Sequence, residues 1–152
     1  MPTYETIKDR QNEKAVIIEV LALLKDYQAQ KTKNFDHLDF AIIKRGAHFL
    51  NERIKAFAEI KICNYRKEKL PFFYVCTEKV NAAMRFYRLH CTRSFLIVKF
   101  IEGIFFIPFD AIEKNGLFHF GNPGRPENQK DINCRVDTSK MRPINEIRNF
   151  FR

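Results

Sequence analysis

Asp39, Glu59 and Lys61 are the residues of this chain whose types and spacing best suit chemistry. Asp39 opens the apolar run Leu38-Asp39-Phe40-Ala41-Ile42-Ile43-Lys44-Arg45, which ends at Gly46. Glu59 and Lys61 lie inside a second run, Ala56-Phe57-Ala58-Glu59-Ile60-Lys61-Ile62-Cys63. Both runs have the length and composition of strands, in which side-chain direction repeats every two residues. Asp39 then shares a face with Ala41 and Ile43, and Glu59 shares one with Phe57 and Lys61. Each strand places charge where its pattern otherwise places apolar residues. Carboxylates are the hard oxygen donors that Mg²⁺ or Mn²⁺ prefers. Asp39, Glu59 and the main-chain carbonyl of Ile60 would leave coordination positions open for water and a phosphate oxygen. The Lys61 ammonium, projecting beside Glu59, can orient an attacking water and stabilise developing negative charge. Such a set suits hydrolysis of a phosphodiester. Asp36 is a rival to Asp39, but it belongs to the preceding loop.

The elements that must position these groups follow from the pattern around them. From Tyr4 to about Gln30 there is no Gly or Pro, and Val16, Ile17, Val20, Leu24 and Tyr27 recur at helical spacing, which predicts one long amphipathic helix. Glu13 falls near the middle of that apolar arc and Asp9 close to the same line, so the helix aims a carboxylate at the core side. The ordinary alternative for Glu13 is an ion pair with Lys14 or Arg10 at the rim of the core. A strand over Leu70 to Cys76 leads into a helix from Thr77, its predicted N-cap, to about His90. Phe95 to Phe100 and Gly103 to Phe109 read as a hairpin around Glu102-Gly103. Gly121 to Pro126 reads as a loop, and Ile144 to Phe151 as a short terminal segment. The order predicts one α/β domain over 1–152, with its core at about 5–112 and a basic C-terminal extension at about 113–152.

Composition narrows the partners. The 152 residues carry a formal net charge of +9 and 16 Phe in a 45% hydrophobic chain, enough for one core and a polyanionic partner such as nucleic acid. The most apolar stretch, Ser94 to Phe109, is broken by Lys99, Glu102, Gly103 and Pro108, so no membrane span is expected. The polar start argues against a secretory signal and for an intracellular, cytoplasmic setting. Four cysteines without a C-x-x-C pair are expected to be reduced thiols, and His37, His48, His90 and His119 lack zinc-ligand spacing.

At Asp39, Glu59-Ile60-Lys61 and Glu13 the chain resembles the PD-(D/E)XK nuclease superfamily, and especially its small phage-type members. The likeness runs through Asp9-Arg10-Gln11-Asn12-Glu13, Leu38-Asp39-Phe40-Ala41, Ala58-Glu59-Ile60-Lys61, Thr77-Glu78-Lys79 and Gly103-Ile104-Phe105-Phe106, and more loosely Gly124-Arg125 to Asp131-Ile132. No Pro precedes Asp39, and Cys63 stands where a basic residue often follows the motif Lys. The resemblance implies a restriction-endonuclease-like core with a mixed central sheet flanked by helices, and divalent-metal cleavage of DNA. It also implies metal ligation by Asp39, Glu59, Ile60 and Glu13, and an auxiliary basic role for Lys79. A phage-encoded protein working in host cytoplasm, and a homodimer wherever both strands are cut, would follow.

Each reading has an ordinary counterpart. A bare Asp with Glu-x-Lys arises by chance, and Glu59 with Lys61 would then be an exposed ion pair on a sheet face. Arg85 and Arg88 read as solvated surface. Arg45, Arg53, Lys55, Arg66, Lys67 and Lys69 flank the site strands, and Arg125, Lys130 and Arg135 approach from the tail, as phosphate contacts would. Of the run Phe72-Phe73-Tyr74, core packing is the first expectation and base stacking the second. The runner-up function is a nucleic-acid-binding or regulatory protein that keeps the nuclease fold without cutting. A module whose basic face binds an acidic protein comes third.

Overall fold

The computed structural model describes residues 7–32, 38–46, 54–115, 117–120 and 132–151. Along them run helix α1 (Ile7–Leu23) and strands β1 (Tyr27–Lys31), β2 (Phe40–Lys44), β3 (Ile54–Ile62) and β4 (Phe72–Cys76). Helix α2 (Thr77–His90), strands β5 (Arg93–Phe100) and β6 (Gly103–Pro108) and helix α3 (Phe109–Asn115) follow, then β7 (Leu117–Phe120), β8 (Ile132–Asp137) and β9 (Arg142–Pro143). Short 3₁₀ turns occupy Lys67–Lys69, Thr138–Lys140 and Ile144–Phe150.

Six strands form the main sheet in the order β1-β2-β3-β5-β6-β9. Within it β3 and β5 are parallel, and every other neighbouring pair is antiparallel. A parallel step needs a crossover, and here the chain passes through β4 and α2 before returning as β5. The remaining strands, β4-β8-β7, make a small antiparallel sheet.

Apolar side chains on both faces of the main sheet explain why its central strands read as nearly continuous hydrophobic runs. On one face Val16, Ile17, Val20 and Leu24 from α1 pack with Ala58, Ile60, Ile97, Phe106 and Ile147. On the other, Phe57, Leu96 and Val98 meet Val80, Ala83 and Met84 of α2 and Val136 of β8. Among the described residues no helix is long and apolar enough to cross a membrane, and the stretch Ser94 to Phe109 forms most of β5 and β6.

Several expectations need correction. The first helix stops at Leu23, where the Leu24 N–H bonds to Leu21 O at 3.0 Å and the Tyr27 N–H to Leu24 O at 2.9 Å. Tyr27–Lys31 instead pairs along β2, and the Tyr27 ring meets Phe151 edge-on at 5.1 Å. Nothing local breaks the helix there; pairing with β2 overrides the local preference. Thr77 is not the N-cap: Cys76 holds that position without a side-chain bond, and the buried Thr77 Oγ1 has no hydrogen-bond partner. Helix α3 and strands β7 and β8 were not legible as separate elements. Part of the stretch read as a basic C-terminal extension is structural, because β9 pairs with β6 while Ile147 and Phe151 close one core. Gly46 does end β2 in a turn, with φ +78° in the left-handed region that glycine enters without strain.

Candidate active site

The site lies where β2 and β3 part company. Their ladder ends at the pair Phe40 with Ala58, while β3 continues to Ile62 along β5 on its other side. Beyond Ala58 the outward edge of β3 has lost its strand partner, and a buried N–H there needs another acceptor. Asp39 supplies it, with Oδ2 accepting from the Ile60 N–H at 2.9 Å. The chain before Asp39 is fixed in turn by Thr32, whose N–H donates to Asp39 O at 2.9 Å and whose hydroxyl reaches Leu38 O and Asp39 O. Pairing therefore delivers Asp39 beside the stretch of β3 that carries Glu59 and Lys61.

Glu59 is 0% exposed, on the same face as Phe57 and the α2 core. Two lysines meet one of its oxygens. Lys61 Nζ lies 3.3 Å from Oε1, and Lys79, from the first turn of α2, donates to that same Oε1. Oε2 is buried and has no hydrogen-bond partner. Burial first, and the Asp39 carboxylate second, push the Glu59 carboxyl above the ordinary glutamate range, against the opposing pull of Lys79 and Lys61. For Lys79, burial works against its charge, but the Glu59 carboxylate, its hydrogen bond and the nearby Asp39 and Cys76 together outweigh this and its pKa is raised. A buried carboxylate with one oxygen unpartnered and a second acid beside it leaves hard oxygen donors that a divalent cation could engage.

Glu13 arrives from the other face of the sheet, one turn before Val16 and Ile17 on α1. Its link to Asp39 runs through Lys31 at the end of β1. The Lys31 Nζ lies 3.2 Å from Glu13 Oε2 and 3.7 Å from Asp39 Oδ1, and 5.0 Å from the centre of the Phe40 ring. Sequence reasoning passed over Lys31 because the early strand was read as helix; its register opposite Phe40, next to Asp39, was the missing signal. Among the described residues no three carboxylates, histidines or cysteines stand close enough together to form a ready metal cluster. The physical reason is visible in the faces: Glu13 and Glu59 approach from opposite sides of the sheet, and lysines stand at their oxygens. Asp39, at the strand end, is the residue common to both halves.

The expected basic contacts scatter. Lys79 joins the site as a partner of Glu59. Arg45 follows the far end of β2 from Asp39, and Lys55 is the second residue of β3 at that same far end. Arg66 is bound to Glu68 at 3.1 Å and faces Glu102 at 3.7 Å, while the Lys67 ammonium sits 5.3 Å over the Phe105 ring. Arg135 stacks 4.1 Å over Phe72. Arg53, Arg125, Lys130, Asp36, His37, His48 and the loop Gly121 to Pro126 lie outside the described residues, as does the His119 side chain. Of Phe72-Phe73-Tyr74, Phe73 turns to the core while Phe72 and Tyr74 are exposed, the alternation a strand imposes. All four cysteines are free thiols.

Comparison with known proteins follows the same lines. Over 91% of this chain and 86% of the other, the fold resembles a nuclease from a fusselovirus, with a TM-score of 0.60 and 16% identity. It also resembles Hjc, a Holliday junction resolvase from Archaeoglobus fulgidus, over 93% of this chain and 96% of that one, with a TM-score of 0.59 and 14% identity. The architecture is thus the restriction-endonuclease-like one, a mixed sheet flanked by helices. No curated protein sequence matches the chain. Residues 1–144 match the family described as "Phage putative PDDEXK endonuclease", and the chain belongs to that phage PD-(D/E)XK family.

Proposed function

We propose that this protein is a divalent-metal-dependent nuclease that hydrolyses phosphodiester bonds in DNA at the open end of β3. The observation that carries the reading is Glu59: fully buried, with Oε2 unpartnered, beside Asp39 and facing two lysines. Asp39, Glu59 and the Ile60 main-chain oxygen are hard donors that would hold the cation in place of the lysines now at Glu59, with Glu13, on the opposite face, in support only through Lys31 and Asp39. Mg²⁺ or Mn²⁺, when bound, supplies Lewis-acid polarisation of the phosphate and a more acidic water. The chain's own residues do the positioning. Asp39 is held by the Ile60 N–H, so its carboxylate is fixed to the strand that carries Glu59. Lys79 holds Glu59 from the helix side, and the half-exposed Lys61 meets it from the side open to solvent, where substrate and water arrive. A net charge of +9 favours a polyanion, and membership of a phage endonuclease family supports DNA, met in host cytoplasm, as the substrate. Cutting both strands with one site per chain would need two copies.

The test is incubation of the purified protein with linear duplex, single-stranded and branched DNA in Mg²⁺ or Mn²⁺, with EDTA as control. Wild type should cut at least one substrate only with the metal, and Lys61→Ala should slow cleavage by about 10²–10⁴-fold. DNA binding without any turnover would favour the non-cleaving alternative.

A further inference from the structure

Lys31 ends β1, where it pairs with Phe40, and the next residue, Thr32, donates its N–H to Asp39 O at 2.9 Å. Its main chain is therefore held, and the freedom that remains is in the side chain. The ammonium lies over the buried Phe40 ring, 3.2 Å from Glu13 Oε2 and 3.7 Å from Asp39 Oδ1. The Glu13 and Asp39 side chains are 17% and 18% exposed, whereas that of Lys31 is 45% exposed. An ion pair on open surface contributes little, but here one cation serves two acids that are largely removed from water and arrive from different elements. The two contacts are unequal. Lys31 donates a hydrogen bond to Glu13, while its contact with Asp39 is an attraction of charges beyond hydrogen-bond reach.

The two oxygens of Asp39 differ in the same way. Oδ2 accepts from the Ile60 N–H, so Oδ1 is the oxygen better placed to meet a cation, and Lys31 faces it. A divalent cation at Oδ1 and the Lys31 ammonium repel each other. The ammonium is the partner that can give way, because its closer bond is to Glu13. We propose that Lys31 is an exchangeable counter-ion of the candidate metal site, which neutralises Asp39 until a divalent cation takes over and is then drawn aside by Glu13. Glu13 thereby acts through Lys31, as the holder of the competing charge and not as a metal ligand. Its approach from the face of the sheet opposite Glu59 then has a purpose. Lys31 is a positioning residue in this account, and its presence sets how tightly the cation is held. The inference rests on the metal-dependent reading of Asp39 and Glu59, but its test needs no cleavage.

The experiment is Mn²⁺ titration without DNA, read from the paramagnetic resonance signal of the free ion, with circular dichroism confirming that each variant is folded. Wild type is compared with Lys31→Met, Lys31→Gln, Lys31→Arg, Glu13→Gln and the double variant of Glu13→Gln with Lys31→Met. Asp39→Asn marks the site and should lose the binding. Lys31→Met and Lys31→Gln should tighten Mn²⁺ binding about fivefold or more, since a neighbouring positive charge is gone, and Lys31→Arg should stay within about threefold of wild type. A lysine that merely braced Asp39 would give the opposite sign, because loosening a ligand weakens binding. Glu13→Gln should weaken binding about threefold or more where Lys31 is present, as the ammonium then settles on Asp39, and by less than about twofold in the Lys31→Met background. Equal or weaker binding by the uncharged Lys31 variants overturns the proposal. An equal loss from Glu13→Gln in both backgrounds makes Glu13 a ligand and overturns it too. These results leave the metal reading standing, whereas Mn²⁺ that binds no variant, or binds Asp39→Asn undiminished, takes down both.

Discussion

Both lysines that meet Glu59 go to Oε1, and the other oxygen has no hydrogen-bond partner. Lys79 lies on the more buried side of that pair, so its removal exposes the strain of burying a carboxylate. Lys79→Met is expected to lower the stability of the EDTA-treated protein by about 1–3 kcal/mol in urea unfolding. An unchanged midpoint would mean that Lys79 does not hold Glu59. The site was partly legible at this scale. The period of two put Glu59 and Lys61 on one face, and the structure keeps them there, with Lys61 3.3 Å away. Lys79 was named only through family resemblance, as a contact for nucleic acid, since no local pattern shows that the first turn of α2 comes down on β3. Lys31 was missed, because its neighbours Glu13 and Asp39 meet it only through strand pairing.

Elements show the same division between local and long-range information. α2 was read with its ends nearly in place because its apolar rhythm is regular and the chain turns at Cys91, where φ is +53°. β1 was absorbed into the first helix, since Tyr27 fits the helical arc and only Phe151, far away in sequence, reveals its actual partner. The segment Ile144–Phe150 looked like a tail because it is short and polar at intervals, yet Ile147 is 0% exposed. If it belongs to the core, Ile147→Ala should cost about 2–5 kcal/mol in chemical denaturation, whereas an ornamental tail would lose almost nothing. The turn before it offers a pH test. Ser139 donates its hydroxyl and its N–H to Asp137 Oδ1 at 2.7 and 2.9 Å, and these bonds hold the Asp137 carboxyl below the ordinary aspartate value. A carboxyl depressed in the folded state adds stability above its unfolded pKa and loses it as pH falls through the folded one. Wild type should therefore unfold later than Asp137→Asn at neutral pH, with the gap closing as pH falls below the ordinary aspartate range. A gap independent of pH would contradict the cap.

For the whole molecule, the consequence of the topology is that one end of the main sheet gathers the candidate site residues. β2 enters there with Asp39, β3 leaves there with Glu59 and Lys61, β1 ends there with Lys31, and α1 and α2 close on it from opposite faces. The sequence pointed to a mixed sheet flanked by helices because buried strands and amphipathic helices announce themselves. It did not show the two-sided approach of Glu13 and Glu59, which depends on which face each helix covers. The central claim is that Glu59 is the pivot of metal-dependent cleavage. Its most direct test is the single-turnover rate of DNA cleavage in Mn²⁺ for wild type and the near-isosteric Glu59→Gln, with circular dichroism confirming that both are folded. The account predicts a loss of about a hundredfold or more in the variant. Equal rates in two folded proteins would contradict it.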